Sequence, residues 1–553
     1  MCDAKPLKFA RHINYRFYKT STIHPPRCGQ FPLRHIVNPS MGIRSPTWML
    51  APSLQGRIHG VSQGMLPTSQ LGLCPYRNHN NPTSPKQKVV KLRAGFKTTY
   101  SDDKTMIRKL LLASCVLFTS TLAAQVPPSE DLRLYDIGAA TSAQRIGQDV
   151  ARLVGFGTRH SLSDTQSETT GIGAARRWIK AEFEAISKDC GGCLEVVTIA
   201  DMATGSRIPE PHEIVSVIAI QRGEHDPNRM VLMSGDIDSR VSDPMNSTST
   251  SPGANDNASG MAGVIEAARV LSRYKFSSSI VYAGLAGEEQ GLYGGKILAA
   301  HAGEQGWNID AVLNNDMIGN IAGINGVIDN HTARIFSEGV RWVETEEEAR
   351  KRYFTGGEVD SASRNLARYI KRVGEQYVSN LDLMMVYRLD RFGRGGHHKP
   401  FNEAGFPAVR IMEVNEHYDR QHQDLRNEEG KHFGDTIEFV DFDFAAKLTA
   451  LNAVSLASLA WGPAPPSDVS IEGMVQASTT LKWTLGNDEN LAGYRVYWRL
   501  TTEPEWTHSR WVGKVDSFTL ENIVIDNYLF GVASVANDGN ESPVVFPGPA
   551  GAF

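Results

Sequence analysis

Met230-Val-Leu-Met-Ser-Gly-Asp236-Ile-Asp238, then Asp256-Asn-Ala-Ser-Gly-Met261-Ala-Gly-Val-Ile-Glu-Ala-Ala-Arg-Val-Leu271, then Ser279-Ile-Val-Tyr-Ala-Gly-Leu285 are three runs with two different periods. The first and last are short and apolar, as strands buried on both faces are. In the middle run Met261, Val264, Ile265, Ala268 and Leu271 recur at i, i+3, i+4, i+7 and i+10, which gathers them on one face of a helix. Strand, crossover helix and strand make the unit from which parallel sheets are built. Working outward, helices are expected over Gly173 to Ile186 and Phe442 to Leu459, and strands over Glu213 to Gln221 and Ala311 to Asn314. The fold class is therefore α/β: a three-layer αβα domain with a mostly parallel central sheet, spanning residues 125–462.

Gly462-Pro-Ala-Pro-Pro-Ser467 breaks this alternation as a stiff linker does. Beyond it the period falls to two, in Thr480 to Trp483, Gly493 to Trp498, Ser517 to Leu520 and Tyr528 to Val535. Residues 466–553 are thus expected to form a small all-β sandwich. Trp483, the Gly493-Tyr-Arg-Val-Tyr-Trp498 strand and the Asn522 to Tyr528 turn resemble a fibronectin type III domain, and no cysteine pair suits a disulfide-linked immunoglobulin domain. Trp483, Tyr494 and Trp498 are read as sandwich core rather than as a carbohydrate platform.

The 553 residues carry 57 Lys+Arg, 61 Asp+Glu and 41% apolar residues, which excludes a wholly disordered chain. A net charge of -4 gives no electrostatic basis for a nucleic-acid partner. The average hides an asymmetry. Residues 1–105 hold 16 Lys+Arg, three acidic residues and 11 of the 27 prolines without a sustained period. Met106-Ile-Arg-Lys, the apolar Leu110 to Leu122 and Ala123-Ala-Gln125 follow in the order of a secretory signal peptide, and the apolar run is too short for a membrane span. Residues 1–105 are read as a gene-model extension or nonfolding leader and 106–124 as the signal, with cleavage near Ala124. Leu112-Ala-Ser-Cys115 is an alternative lipoprotein box. Without residues 1–124 the chain keeps 39 basic and 58 acidic residues, a net charge of -19, and a periplasmic or secreted location is expected. It also keeps one cysteine pair, Cys190-Gly-Gly-Cys193, read as a small-loop disulfide; a redox motif is the alternative, and a zinc knuckle lacks its other ligands.

Acidic groups crowd the ends of the expected strands, where open α/β sheets place their sites. Asp236 and Asp238 follow one strand, Asp256 precedes the helix, Glu288-Glu289 follow the next strand, Asp316 a third, and Gly396-His397-His398 comes later. Taken singly, Asp256 is a helix cap and the paired glutamates a solvated turn. Hydrolytic metal sites instead need several oxygen or imidazole donors around ions ~3.5–4 Å apart, with one carboxylate left free to move a proton.

Pro252-Gly-Ala-Asn-Asp-Asn-Ala-Ser-Gly260 and Glu288-Glu-Gln-Gly-Leu292, in this order, resemble the zinc-dependent exopeptidase family of bacterial leucyl aminopeptidases and glutamate carboxypeptidases, over roughly Ile146 to Leu459. The resemblance implies two divalent metal ions, Asp256 as bridging ligand, Glu289 and His398 as ligands of one metal, Asp316 of the other, Glu288 as general base and Asp238 as a supporting carboxylate. Two positions depart from it. Asp236 stands where the family has a histidine ligand, which shifts that site from Zn toward Mn, Mg or Ca and puts its occupancy in question. His397 stands where an aspartate is usual and is read as a support or surface residue. His417 and His422 are further pocket candidates, and Glu344 to Arg352 reads as a solvated helix face. The implied activity is peptide hydrolysis by an exported metallo-exopeptidase, foremost an aminopeptidase. A carboxypeptidase or dipeptidase on the same scaffold, or a metal-impaired binding protein resulting from Asp236, are the alternatives.

Overall fold

The computed structural model describes residues 126–553. The expected leader and signal segment lie outside the described residues. Helices α1 (Leu132–Ala140), α2 (Ala143–Val154) and α3 (Gly171–Asp189) lead into strands β1 (Leu194–Gly205), β2 (Ile208–Gln221) and β3 (Asp226–Asp236). Then come α4 (Gly260–Leu271), β4 (Ser278–Leu285), α5 (Tyr293–Gln305), β5 (Asn308–Asn315), β6 (Thr332–Ser337), α6 (Glu346–Thr355), α7 (Ala362–Tyr377), β7 (Asp382–Val386), α8 (His398–Glu403), β8 (Ala408–Glu413), the small hairpin of β9 (Arg426–Glu428) and β10 (Lys431–Phe433), and α9 (Phe442–Trp461).

These strands form one eight-stranded sheet in the order β1-β2-β4-β3-β5-β8-β6-β7. The four central strands are parallel, and antiparallel pairings join β2 to β4 and β6 to β8 on either side of them. Strand periodicity produces the three layers. Val231 and Met233 point into a core filled by α2, α3, α4, α7 and α9, while Met230 and Leu232 point the other way, against Leu298 of α5 and Phe401 of α8. Helix α9 is long and apolar enough to cross a membrane, but it is buried on nearly every side in the first of these cores. The Asp441 side chain caps it, accepting from Phe444 N at 2.8 Å. Helix α6 buries none of its residues, in keeping with its charged sequence.

Parallel strands end at one edge, so their trailing loops share a rim. Asp236 pairs in register with Leu285, and Gly235 with Asn315, which brings the Asp236, Glu288 and Asp316 segments together. The approach of β3 to α4 is tight: a Cβ on Gly235 would lie 2.7 Å from the Gly260 carbonyl carbon, so glycine is needed there.

After the linker, β11 (Ser467–Glu472), β12 (Thr479–Thr484) and β15 (Ser517–Leu520) form one antiparallel sheet. A second is formed by β13 (Leu491–Leu500), β14 (His508–Gly513) and β16 (Tyr528–Ala536). Trp483, Tyr494, Leu481 and Phe530 are buried between the two sheets, and Trp498 is half-buried against them. This unit is fastened to the α/β layers by charge. Asp360, fully buried, lies 2.9 Å from Arg368 Nη1 and 2.7 Å from Arg499 Nη2 of β13. Cys190 and Cys193 are joined by a disulfide just after α3.

Candidate metal centre

The loop between β3 and α4 is held from beneath. Buried Arg159 donates to the carbonyl oxygens of Ile237, Pro252 and Gly253. The Asp435 carboxylate accepts from Asn255 N at 2.9 Å and Asp256 N at 2.7 Å. Those bonds fix the backbone of Asp256 and leave its carboxylate to project from the rim. The turn after β4 is fixed in a similar way: Asp238 accepts from Glu288 N at 3.2 Å and Glu289 N at 3.1 Å. Asp238 also accepts from Ser161 Oγ at 3.2 Å, so it positions both glutamates through their amides.

A third segment, following β8, completes the arrangement. His422 Nε2 lies 2.9 Å from Asp256 Oδ2 and 2.9 Å from Glu289 Oε1. Among the described residues these are the three potential metal donors found within 4.8 Å of one another. Donors about 2.0–2.1 Å from a tetrahedral zinc stand about 3.3 Å apart, so a few tenths of an ångström of opening would admit the ion, and one imidazole with two carboxylates is a donor set zinc accepts. Burial opposes charge on Asp256 and Glu289, but His422 outweighs it and holds both carboxyls below their ordinary values. The same pair lifts His422 to about 9 against the cost of burying its charge. The other ring nitrogen is turned away from the carboxylates: the Arg240 guanidinium lies 2.6 Å from Nδ1 while its Nε reaches Glu289 Oε2 at 2.7 Å. The ring proton facing the carboxylates is therefore placed on Nε2, the atom a metal would take.

Glu288 differs from its neighbours. Among the described residues its carboxyl makes no hydrogen bond, and burial together with Glu289, Asp316, Asp236 and Asp256 pushes its pKa well above the ordinary glutamate value. A carboxyl destabilised as an anion is a stronger base than a free one. Asp316 and Asp236 are instead occupied. Asp316 Oδ2 lies 2.7 Å from Arg410 Nη2, and Asp236 Oδ1 shares a proton with His397 Nδ1 at 2.5 Å. Asn257 Nδ2 donates to the other oxygen of Asp236 at 2.8 Å.

The profile of Peptidase family M28 matches residues 216–440, which include every one of these groups except Ser161 and Arg159. A probable zinc metalloprotease of Leptosphaeria maculans is 43% identical over 426 residues, spanning 77% of this chain and 99% of the relative. The chain belongs to peptidase family M28. Another probable zinc metalloprotease, from Pyrenophora teres f. teres, is 42% identical over 429 residues, 77% of this chain and 89% of its own. Among solved structures, the LapA aminopeptidase of Legionella pneumophila aligns over 62% of this chain and 78% of its own at 18% identity, with a TM-score of 0.44. As an M28 metallopeptidase the chain acts on peptides, and the family implies zinc.

Within this M28 peptidase the structure places the sequence-based site residues differently from expectation at three points. His398 does not reach Asp256 or Glu289: its Nε2 is turned to the Leu389 carbonyl oxygen at 2.8 Å, and it sits at the start of α8, before β8. The histidine that meets the two carboxylates is His422. Asp236 and Asp316, expected as ligands of a second ion, are taken by His397 and by Arg410. His397, read as a support or surface residue, is fully buried on Asp236. The signal for His422 was its place after the last central strand, where a loop returns to the rim; nothing in its immediate neighbours distinguishes it from His417.

Proposed function

We propose that this M28 metallopeptidase is an exported aminopeptidase in which Asp256, Glu289 and His422 hold zinc and Glu288 is the general base. The observation that carries the reading is the contrast at the rim: a free, half-buried Glu288 carboxyl stands beside three donors drawn together from separate loops. Zinc, when held by these three, would supply Lewis acidity toward water and the scissile carbonyl. Glu288, fixed through its amide by Asp238, takes a proton from the attacking water and returns it to the leaving amine. Arg240 orients the carboxylate of Glu289, and Gln421, donating to Asp256 Oδ2 at 3.1 Å, orients that of Asp256. The signal-like Met106 to Ala124 and the acidic chain that follows support export. The strand pattern and the Trp483–Tyr494 core support a fibronectin type III-like accessory domain over 466–553.

The test is hydrolysis of an aminoacyl-anilide panel alongside N-blocked peptides, after chelation and after re-addition of zinc. Release of free amine from the anilides, abolished by the chelator and restored by zinc, is expected. Trimming of N-blocked peptides alone would move the assignment to a carboxypeptidase. Zinc-independent inertness toward both would support the binding-protein alternative.

A further inference from the structure

A second metal position would need Asp236 and Asp316 beside Asp256, and both are committed elsewhere. Arg410 of β8 lies opposite Asn314 of β5 in register, so its side chain shares a face with Asp316, two residues farther on. Its Nη2 is 2.7 Å from Asp316 Oδ2. Its Nη1 is held by Asp390 Oδ2 at 3.0 Å and donates to the Gly395 carbonyl oxygen at 2.7 Å. The side chain is fully buried, so it has no route into solvent that keeps these partners. Asp236 is equally engaged, with His397 on one oxygen at 2.5 Å and Asn257 on the other at 2.8 Å.

Charge leads to the same result. Buried carboxylates persist only with compensating positive charge. In a two-metal site the second dication supplies it; here a guanidinium that does not deprotonate faces Asp316, and the His397 ring and the Asn257 amide occupy the two oxygens of Asp236. A second dication would have to sit against that fixed cation, with one oxygen of Asp316 facing the guanidinium and both oxygens of Asp236 already hydrogen-bonded. The residues fit one metal and do not fit two.

We propose that this peptidase binds a single divalent ion, at Asp256, Glu289 and His422, and that Arg410 takes the electrostatic place of a second one, acting as the positioning residue for Asp316. The proposal rests on the metal-centre reading above. Equilibrium dialysis of the full-length protein against zinc, and separately against Co, Mn, Mg and Ca, followed by elemental analysis, tests it without recourse to activity. One equivalent of zinc per chain, and a Co-loaded protein whose ion is magnetically isolated, are expected. Two equivalents of any of these ions, or a spin-coupled Co pair, would overturn the single-ion proposal and leave the metallopeptidase reading standing. No bound metal at all would overturn both. In a folded D236H/R410Q variant a second equivalent should appear, and a stoichiometry still at one would remove Arg410 as the occluding group. If loss of Arg410 prevents folding, the stoichiometry of the unaltered protein decides the matter.

Discussion

Glu288→Gln isolates proton transfer from everything else at the rim. The substitution keeps the shape of the side chain, and since the Glu288 carboxyl makes no hydrogen bond among the described residues, no partner is orphaned. It also removes one of several clustered carboxyls that repel each other, so the melting temperature should hold or rise. The Glu288 amide bond to Asp238 is unaffected, so Glu289 and the metal donors stay in place. General-base catalysis contributes about 10²–10⁴-fold, or about 3–5.5 kcal/mol of activation free energy. The variant should therefore lose about 10²–10⁴-fold in kcat on an aminoacyl anilide, with zinc content unchanged. In the parent enzyme kcat/KM should rise with pH as the raised carboxyl gives up its proton, and this acid limb should vanish from the residual activity of the variant. Retention of more than about a tenth of kcat, or loss of zinc, would refute the assignment of Glu288 as a base outside the metal's coordination.

Three further outcomes are expected. His422→Ala should abolish stoichiometric zinc binding by elemental analysis, whereas His398→Ala should retain it; the reverse result would restore the sequence-based ligand. Asp360→Asn strands the buried Arg368 and Arg499 without their anion and should cost about 3–5 kcal/mol in denaturant unfolding; a change below about 1 kcal/mol would show that the triad is not needed to fasten the sandwich. Burial lifts the Glu338 carboxyl to about 7 from an ordinary 4.5. Between those values the unfolded chain has released the proton that the folded one retains, so the contribution of Glu338 to stability falls as pH rises and levels off above the folded value. At about 1.4 kcal/mol per tenfold, Glu338→Gln should raise stability at pH 8 by up to about 3 kcal/mol and leave it unchanged near pH 4. Equal effects at the two values would reject the linkage.

The strand–helix–strand unit was legible because Met230 to Leu285 alternates two clean periods, and the acidic rim because each carboxylate closely follows a strand or precedes a helix. Less regular segments were not. β1 is largely solvent-facing and so lacks a continuous apolar signal, and Ala408-Val-Arg-Ile-Met-Glu413 interrupts one with a charge. That charge is Arg410. In sequence it resembles an outward-facing residue, and its meaning depends on Asp316, which lies 94 positions earlier, just past the end of a neighbouring strand. His422 was obscured for a related reason: it stands in an irregular loop with φ of 54°, where no period marks which histidine turns inward. Local pattern reveals which elements exist; the pairing of buried charges is settled only when those elements meet.

The buried charges at the sandwich boundary restrict how this chain can change over generations. Asp360, Arg368 and Arg499 come from both sides of the linker, and Glu541 of the C-terminal part likewise pairs with Arg372 of α7 at 3.0 Å. An accessory domain on a neutral tether can be exchanged or lost by a single recombination event. This one cannot leave without stranding the buried Asp360 and Arg368, so the two parts are expected to be inherited together and to accept substitutions there in matched pairs.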